Sequence, residues 1–445
     1  MFIDNEHKFA IMFIMNEQTT LDRTKLKEVV LEQRQELENL PRGIIRNQLP
    51  RLVELFESNQ ILIITGIRRC GKSTLLLQLI DKLKLTGFHY LNFEDERLVS
   101  FDVSTFNVLL EIFYEVNDKQ KVFIFDEIQV VENWELFIRR LHTSGNKIII
   151  TGSNATLLSQ ELGTKLTGRH IDLELFPFAY NEYLIYQNYK FNNDDFALTE
   201  RRSLMHKHFS KYLVDGGMPI YLHNPFRETI SAIYEDIIIR DILRRYPIKN
   251  QKIFRELALY LTSNCTSLIT YQKLCEYFKL GSVNTIIKYL SYLENCYYLY
   301  LVSPFSPSVR KQINAPKKVY ISDNVFVEKI GFSLSNKEGA LLENLVFLEL
   351  RRLYKNIFYY KTKNNREVDF LVYNESNNIQ LIQVSWSIAD PKTREREINA
   401  LIKASEETSI ENCWILTHSE TELISTEKLT IHVMPIYQWL LSSES

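Results

Sequence analysis

The stretch "GIRRCGKST", Gly66 to Thr74, follows directly on the apolar run "ILIIT" and restricts this chain more than any other feature. A glycine, four residues and then Gly-Lys-Ser is the spacing of a loop whose backbone N–H groups converge on an anion. Gly66 and Gly71 would let the backbone wrap a phosphate chain, with Ile67, Arg68, Arg69 and Cys70 supplying amides between them. The helix opening at Lys72, Ser73 and Thr74 would point its positive end at the charge. Lys72 would reach the β- and γ-phosphates, and Ser73 would ligate Mg²⁺. The alternative is a glycine-containing turn with a surface lysine, so the context decides.

That context is a series of short β-type runs separated by helical patterns: "QILIIT", "FHYLNFE", "KVFIFDE", "KIIITGS" and "HIDLEL". Continuous apolar runs suit strands buried on both faces of a parallel sheet. The third run ends in Asp126, placed to hold Mg²⁺ directly or through water, and Glu127, placed to orient and deprotonate an attacking water. The fourth ends in Thr151, Ser153 and Asn154. Asn154 is the first choice as a γ-phosphate sensor and Ser153 the second; a plain turn is the alternative. Arg169, in "LTGRH", could serve as an arginine finger within the chain or from a neighbouring subunit, or be a surface arginine. Glu94 and Asp95 end the second run, as helpers to metal or water or as a solvated acidic loop.

Composition narrows the classes. At 445 residues the chain exceeds one ordinary core, and its 45% apolar content is that of a globular protein. A formal charge of −2 gives no chain-wide attraction for nucleic acid or anionic membrane. The five cysteines lack Cys-x-x-Cys spacing, which argues against a zinc site and for a reducing, cytoplasmic setting. The N-terminal "FAIMFIM" is too short to span a bilayer and has no cleavage site; Met15 could be the true start.

Four regions are expected: a helical lead-in over 1–58 broken at Pro41 and Pro50, a P-loop ATPase domain over 59–182, a helical region over 183–335, and a terminal α/β unit over 336–445. Within the third, "LITYQKLCEYFKLGSVNTIIKYLSYLENCYYLYLVSPF" reads as helix, turn, helix and strands. Leu274, Phe278, Val283, Ile286, Ile287, Leu290 and Leu293 are expected inside, with Asn284, Thr285, Lys288 and Ser291 outside. That outer face, with Arg310, Lys311, Lys317 and Lys318, could contact duplex DNA. It could equally pack against protein.

The motifs "ITGIRRCGKSTLL", "YLNFEDERL", "FIFDEIQVVENWE", "IIITGSN", "LTGR" and "PFAYNEYL" resemble prokaryotic AAA-type ATPases related to the archaeal ATPases. "YLVDGGMP", "KVYISDNVF" and "EVDFLV" resemble their usual partner, domain of unknown function 4143. The resemblance implies an α/β RecA-like ATPase core with a parallel sheet, then a winged-helix segment and a restriction-endonuclease-like domain. A nuclease of that type needs an acid on one strand and Glu-x-Lys on the next. Glu343 and Asp369 fit, but "LIQVSWS" puts Gln383 and Ser385 where Glu and Lys are required, so a non-cleaving domain is expected. Lys361 or Lys363 could substitute for the lysine spatially. The resulting expectation is a cytoplasmic, Mg²⁺-dependent ATPase that binds ATP and ADP. DNA, a protein partner or further copies of the chain could associate with it. The rivals are a slow nucleotide switch, a DNA-binding regulator and an active nuclease.

Overall fold

The computed structural model describes residues 22–117, 120–155, 168–192, 196, 198–332, 337–374, 379–426 and 429–442. It divides into two compact units, one of Met1–Gly66 and Gly71–Leu175, the other of Ile67–Cys70 and Phe176–Ser445. Met1 and Met15 lie outside the described residues.

In the first unit, β1 (Ile61–Thr65), β2 (His89–Asn92), β3 (Val122–Asp126), β4 (Lys147–Gly152) and β5 (His170–Glu174) form one sheet in the order β2-β3-β4-β1-β5, with every pairing parallel. Every residue of β1 is buried, as expected of a strand covered on both faces. Burial of each such Leu or Ile stabilises the unit by about 1.5–3 kcal/mol. The registers Asn92↔Asp126, Asp126↔Thr151 and Thr65↔Gly152 bring the C-terminal ends of β1 to β4 to one edge. Ligands of open parallel sheets bind at such an edge.

The lead-in is a helix over Arg23–Asn39 and a second over Leu49–Phe56. Pro50 lies in the first turn of the second helix, where its missing N–H costs nothing, and therefore starts that helix instead of breaking one. Leu26, Val29 and Val30 join the core of Leu91, Phe93 and Phe123, so the first of these helices is part of the core of the first unit and not an appendage.

The second unit carries two sheets. β6 (Leu268–Ile269), β7 (Leu299–Val302) and β8 (Lys317–Ile321) pair antiparallel in the order β6-β8-β7, with helices at Tyr271–Tyr277 and Val283–Asn295 between β6 and β7. On the latter helix Ile286, Tyr289, Leu290 and Leu293 are buried, whereas Ile287 is exposed and Phe278 half-buried. The expected inner face was too wide: one residue past Ile286 is about 100° around the helix, and Tyr289 fills the stripe instead.

β9 (Asn356–Lys361), β10 (Glu367–Tyr373), β11 (Ile379–Val384), β12 (Cys413–Thr417), β13 (Glu422–Ser425) and β14 (Thr430–Pro435) form a mixed sheet in the order β13-β14-β12-β11-β10-β9. β13 and β14 exceed the strands expected for this region.

The motifs "YLVDGGMP" and "KVYISDNVF" meet in a buried network. Asp323 accepts from Gly217 N at 2.8 Å and Val325 N at 2.9 Å, and burial pushes its carboxyl up to about 6. Asn324 donates to the carbonyls of Leu213 and Leu341 at 2.8 and 3.0 Å. Asn344 accepts from Ile321 N and returns a bond to Ile321 O. A Cβ on Gly217 would lie 2.2 Å from the Phe178 carbonyl oxygen. Gly217→Ala is therefore expected to cost at least about 3 kcal/mol, since backbone must move, and a thermal melt should register it as a clear fall in midpoint.

Candidate functional site

The loop after β1 needs unusual backbone, and the residues supply it: φ is +142° at Gly66, +67° at Arg69 and +104° at Gly71. Two of the three are glycines, for which positive φ carries no Cβ penalty. At Gly71 a side chain is excluded twice, because an added Cβ would also sit 3.1 Å from the buried Arg46 guanidinium. Gly71 then caps the helix Lys72–Leu83 without any side-chain cap, and helix starts of that kind attract anions.

Four side chains converge at the sheet edge. Lys72 Nζ donates to the Gly66 carbonyl at 3.0 Å and lies 3.9 Å from Glu127 Oε1. Ser73 Oγ donates to Asp126 Oδ2 at 3.2 Å. The Thr151 hydroxyl donates to Asp126 Oδ1, and Tyr90 OH reaches Oδ2 at 3.4 Å. Burial, then the charge of Asp126, hold the Tyr90 phenol well above its ordinary range, so it stays a donor. Glu127 has φ of +53°, a conformation non-glycine residues rarely adopt and one that concentrates at functional sites. Its Oε2 accepts from Ser153 N and Oγ, each at 3.3 Å, and from the Gln129 amide. Asn154 is fully buried beyond the tip of β4.

A cleft of about 360 Å³ opens beside this group, lined by Ser73, Asp126, Tyr90, Asn92, Glu94 and Gln33 among others. Asp95 also lines the cleft, but Arg97 and Gln33 bind it, and the Arg97 guanidinium holds its carboxyl down at about 2. Ser73 Oγ and Asp126 are hard oxygen donors at the mouth of a polar cleft, a set that fits Mg²⁺. Among the described residues no group of three or more His, Cys, Asp or Glu could hold a metal unaided, so the ion's other ligands would be phosphate and water.

Arg169 is the outlier. Its carbonyl accepts from Ile61 N at 2.8 Å, at the start of β1, whereas the loop follows the strand's end. Five residues of strand span about 16 Å. Arg169 stands at the opposite end of β1 from its own loop, which leaves a finger from a neighbouring copy or a surface arginine as its readings. Leu166 and Thr167 of the same motif lie outside the described residues.

Thr151, Tyr90, Gln129 and Arg46 were not singled out for the site by sequence reasoning. Thr151 carried a signal, as the polar residue ending an apolar strand run. Tyr90 and Arg46 carried none, since their place depends on sheet order and on how the lead-in packs.

The lysines assigned to DNA phosphates need correction. Lys318 is 3% exposed, and its Nζ lies 2.9 Å from Glu343, 2.8 Å from Glu367 and 2.9 Å from Asp369. Burial pulls its pKa down, yet Asp369, Tyr320, Glu343 and Glu367 together hold it well above the ordinary value. Lys317 is also buried and donates to Ser303 Oγ and the Gln312 carbonyl. Neither faces a ligand surface. Arg310, Lys311 and Lys288 are exposed.

Lys318 stands among the very carboxylates for which Lys361 or Lys363 was expected, and both of those are exposed. Gln383 is absorbed by Glu397, to which it donates at 2.7 Å, and by Asp369 N. Ser385 donates to the Ser387 carbonyl. The five cysteines are all buried, and none of these described residues is in a disulfide. Among the described residues no helix is long and apolar enough to cross a membrane.

Residues 58–184 match the AAA domain, 206–331 a domain of unknown function numbered 8612, and 338–439 domain of unknown function 4143. An uncharacterized protein of Methanocaldococcus jannaschii is 33% identical over 447 residues, covering 96% of this chain and 98% of that one. An uncharacterized protein of Haemophilus influenzae is 32% identical over 362 residues, covering 77% and 87%. Thermotoga maritima RuvB aligns at 14% identity with a TM-score of 0.31 over 62% of this chain and 94% of that one, a score that carries no argument. With likeness to the archaeal protein running from end to end, the chain belongs to the AAA-domain proteins that carry domain of unknown function 4143 at their C-terminus.

Proposed function

We propose that this chain is a Mg²⁺-dependent ATPase. The observation that carries the reading is the convergence of Ser73 Oγ on the Asp126 carboxylate beside Lys72 and Glu127, at the open edge of the sheet. Lys72 would exchange its bond to the Gly66 carbonyl for the β- and γ-phosphates, and the loop amides would hold the phosphate chain. Ser73 and Asp126 would hold Mg²⁺, which supplies charge neutralisation on the phosphates when bound. Thr151 and Tyr90 donate to the Asp126 carboxylate and so orient it. Glu127 Oε2 is held by Ser153 and Gln129, and in this reading the carboxylate so oriented would position a water and take its proton. Asn154 is the sensor in this reading, reporting the γ-phosphate to the end of β4.

Loss of the γ-phosphate would release contacts at the loop and at the end of β4, so the output is a change of conformation. Duplex DNA loses support with Lys317 and Lys318 both buried, although a helix pair flanked by an antiparallel sheet suits a winged helix. The terminal domain is read as non-cleaving, because Lys318 already neutralises the acids a metal would need. A reducing, cytoplasmic setting remains the reading of the cysteines, and a finger from Arg169 would require a second copy of the chain.

The test is phosphate release from ATP by the purified chain. Release should require Mg²⁺, stop on chelation and return when Mg²⁺ is restored. Hydrolysis indifferent to chelation, or none in any condition, would contradict the proposal.

A further inference from the structure

Residues 67–70 of the loop fold with the second unit, while Gly66 and Gly71 on either side fold with the first. Within the second unit, Arg68 makes a two-pronged pair with Asp241: Nε to Oδ2 at 3.0 Å and Nη2 to Oδ1 at 2.9 Å. Both side chains are buried, with 8% of Arg68 and 0% of Asp241 exposed. Arg245 adds a second cation to Asp241 at 3.6 Å. Asp241 stands on Ile237–Leu243, a π-helical turn, and such turns are uncommon and recur at functional sites.

Parallel guanidinium–carboxylate bonds fix orientation as well as charge. Held this way, the Arg68 guanidinium is engaged by Asp241. A buried guanidinium is tolerable only while its carboxylate is present, because an unpaired buried charge is far costlier than the pair. The pair therefore ties the path of the backbone at 67–70 to Asp241. Nucleotide that reshapes this backbone must pull on the pair, and with it the π-helical turn.

We propose that Asp241 is a positioning residue for the phosphate-binding loop, and that the Arg68–Asp241 pair relays nucleotide occupancy to the π-helical turn at 237–243. This rests on the ATPase reading above and adds to it a relay residue in the second unit.

Two measurements on the full chain test it. The first titrates a fluorescent ATP analogue with Mg²⁺ into wild type, Asp241→Asn and Asp241→Glu. Loss of a charge-assisted buried bond should weaken binding about tenfold in Asp241→Asn, with Asp241→Glu within about threefold of wild type. A purely structural role would lower the melting temperature but leave the affinity of the folded fraction unchanged. The second follows hydrogen exchange across 237–243 with and without the analogue. Nucleotide should alter exchange there in wild type and not in Arg68→Ala; this readout decides the matter if Asp241→Asn does not fold. Equal affinity in folded Asp241→Asn, or exchange at 237–243 indifferent to nucleotide in wild type, would overturn the inference while leaving the ATPase reading standing. Wild type that retains no nucleotide would remove the parent reading, and this one with it.

Discussion

Glu127→Gln should bind ATP as tightly as wild type and release phosphate about 10²- to 10⁴-fold more slowly, the range expected when a general base is removed. The amide has the size of the carboxylate and can still accept from Ser153 N and Oγ, which now hold Oε2 at 3.3 Å. The geometry of the loop is thus preserved, and what disappears is the capacity to take a proton. Single-turnover phosphate release with saturating ATP separates this from a binding defect. Residual hydrolysis equal in variant and wild type would favour the rival reading, a nucleotide switch without catalytic turnover.

Lys318→Met should destabilise the second unit by about 3–5 kcal/mol, a large share of the roughly 5–15 kcal/mol available to a folded domain. The ammonium stands within 2.9 Å of Glu343, Glu367 and Asp369, and removing it leaves three acids facing one another, Glu343 and Asp369 of them largely out of water. The loss should depend on pH with a definite sign. Burial, then Asp369, push the Glu343 carboxyl up to about 7 against an ordinary 4.5. The folded state therefore binds the proton more tightly than the unfolded chain, and stability falls as pH rises through that window. Without Lys318 the shift grows, so the deficit should be smallest near pH 5 and largest at pH 8. Thermal melts of both proteins across that range measure it, and a deficit independent of pH would rule out charge repulsion as its cause.

Much of the first unit could be read from sequence for a simple reason: a strand buried on both faces must be apolar throughout, so "ILIIT", "VFIFD" and "KIIITG" declare themselves without any partner being known. The loop was equally legible, because its glycines and lysine are contiguous in the chain. What stayed hidden depends on residues distant in sequence. Thr151 finds Asp126 only through the register of β3 with β4. Lys318 looked like one of four basic surface residues, and only the fold carries it to Glu343 and Asp369. Whether Arg169 could reach its own loop was left open by the sequence, because strand direction, not spacing, decides which edge a flanking residue occupies. β13 was invisible, an edge strand with Glu422, Leu423 and Ser425 exposed. β14 was passed over although Ile431 and Val433 alternate inward with Thr430 and His432 outward, a clear period of two.

The central claim is that the end of β1 and the helix after it hold a triphosphate, with Lys72 reaching across it. Equilibrium titration of ATP with Mg²⁺ into wild type and Lys72→Ala tests this most directly. Wild type should bind saturably at one site, and the variant at least about tenfold more weakly, as loss of a charge-assisted contact requires. Wild type that retains no adenine nucleotide, or a folded Lys72→Ala that binds as well as wild type, would contradict it.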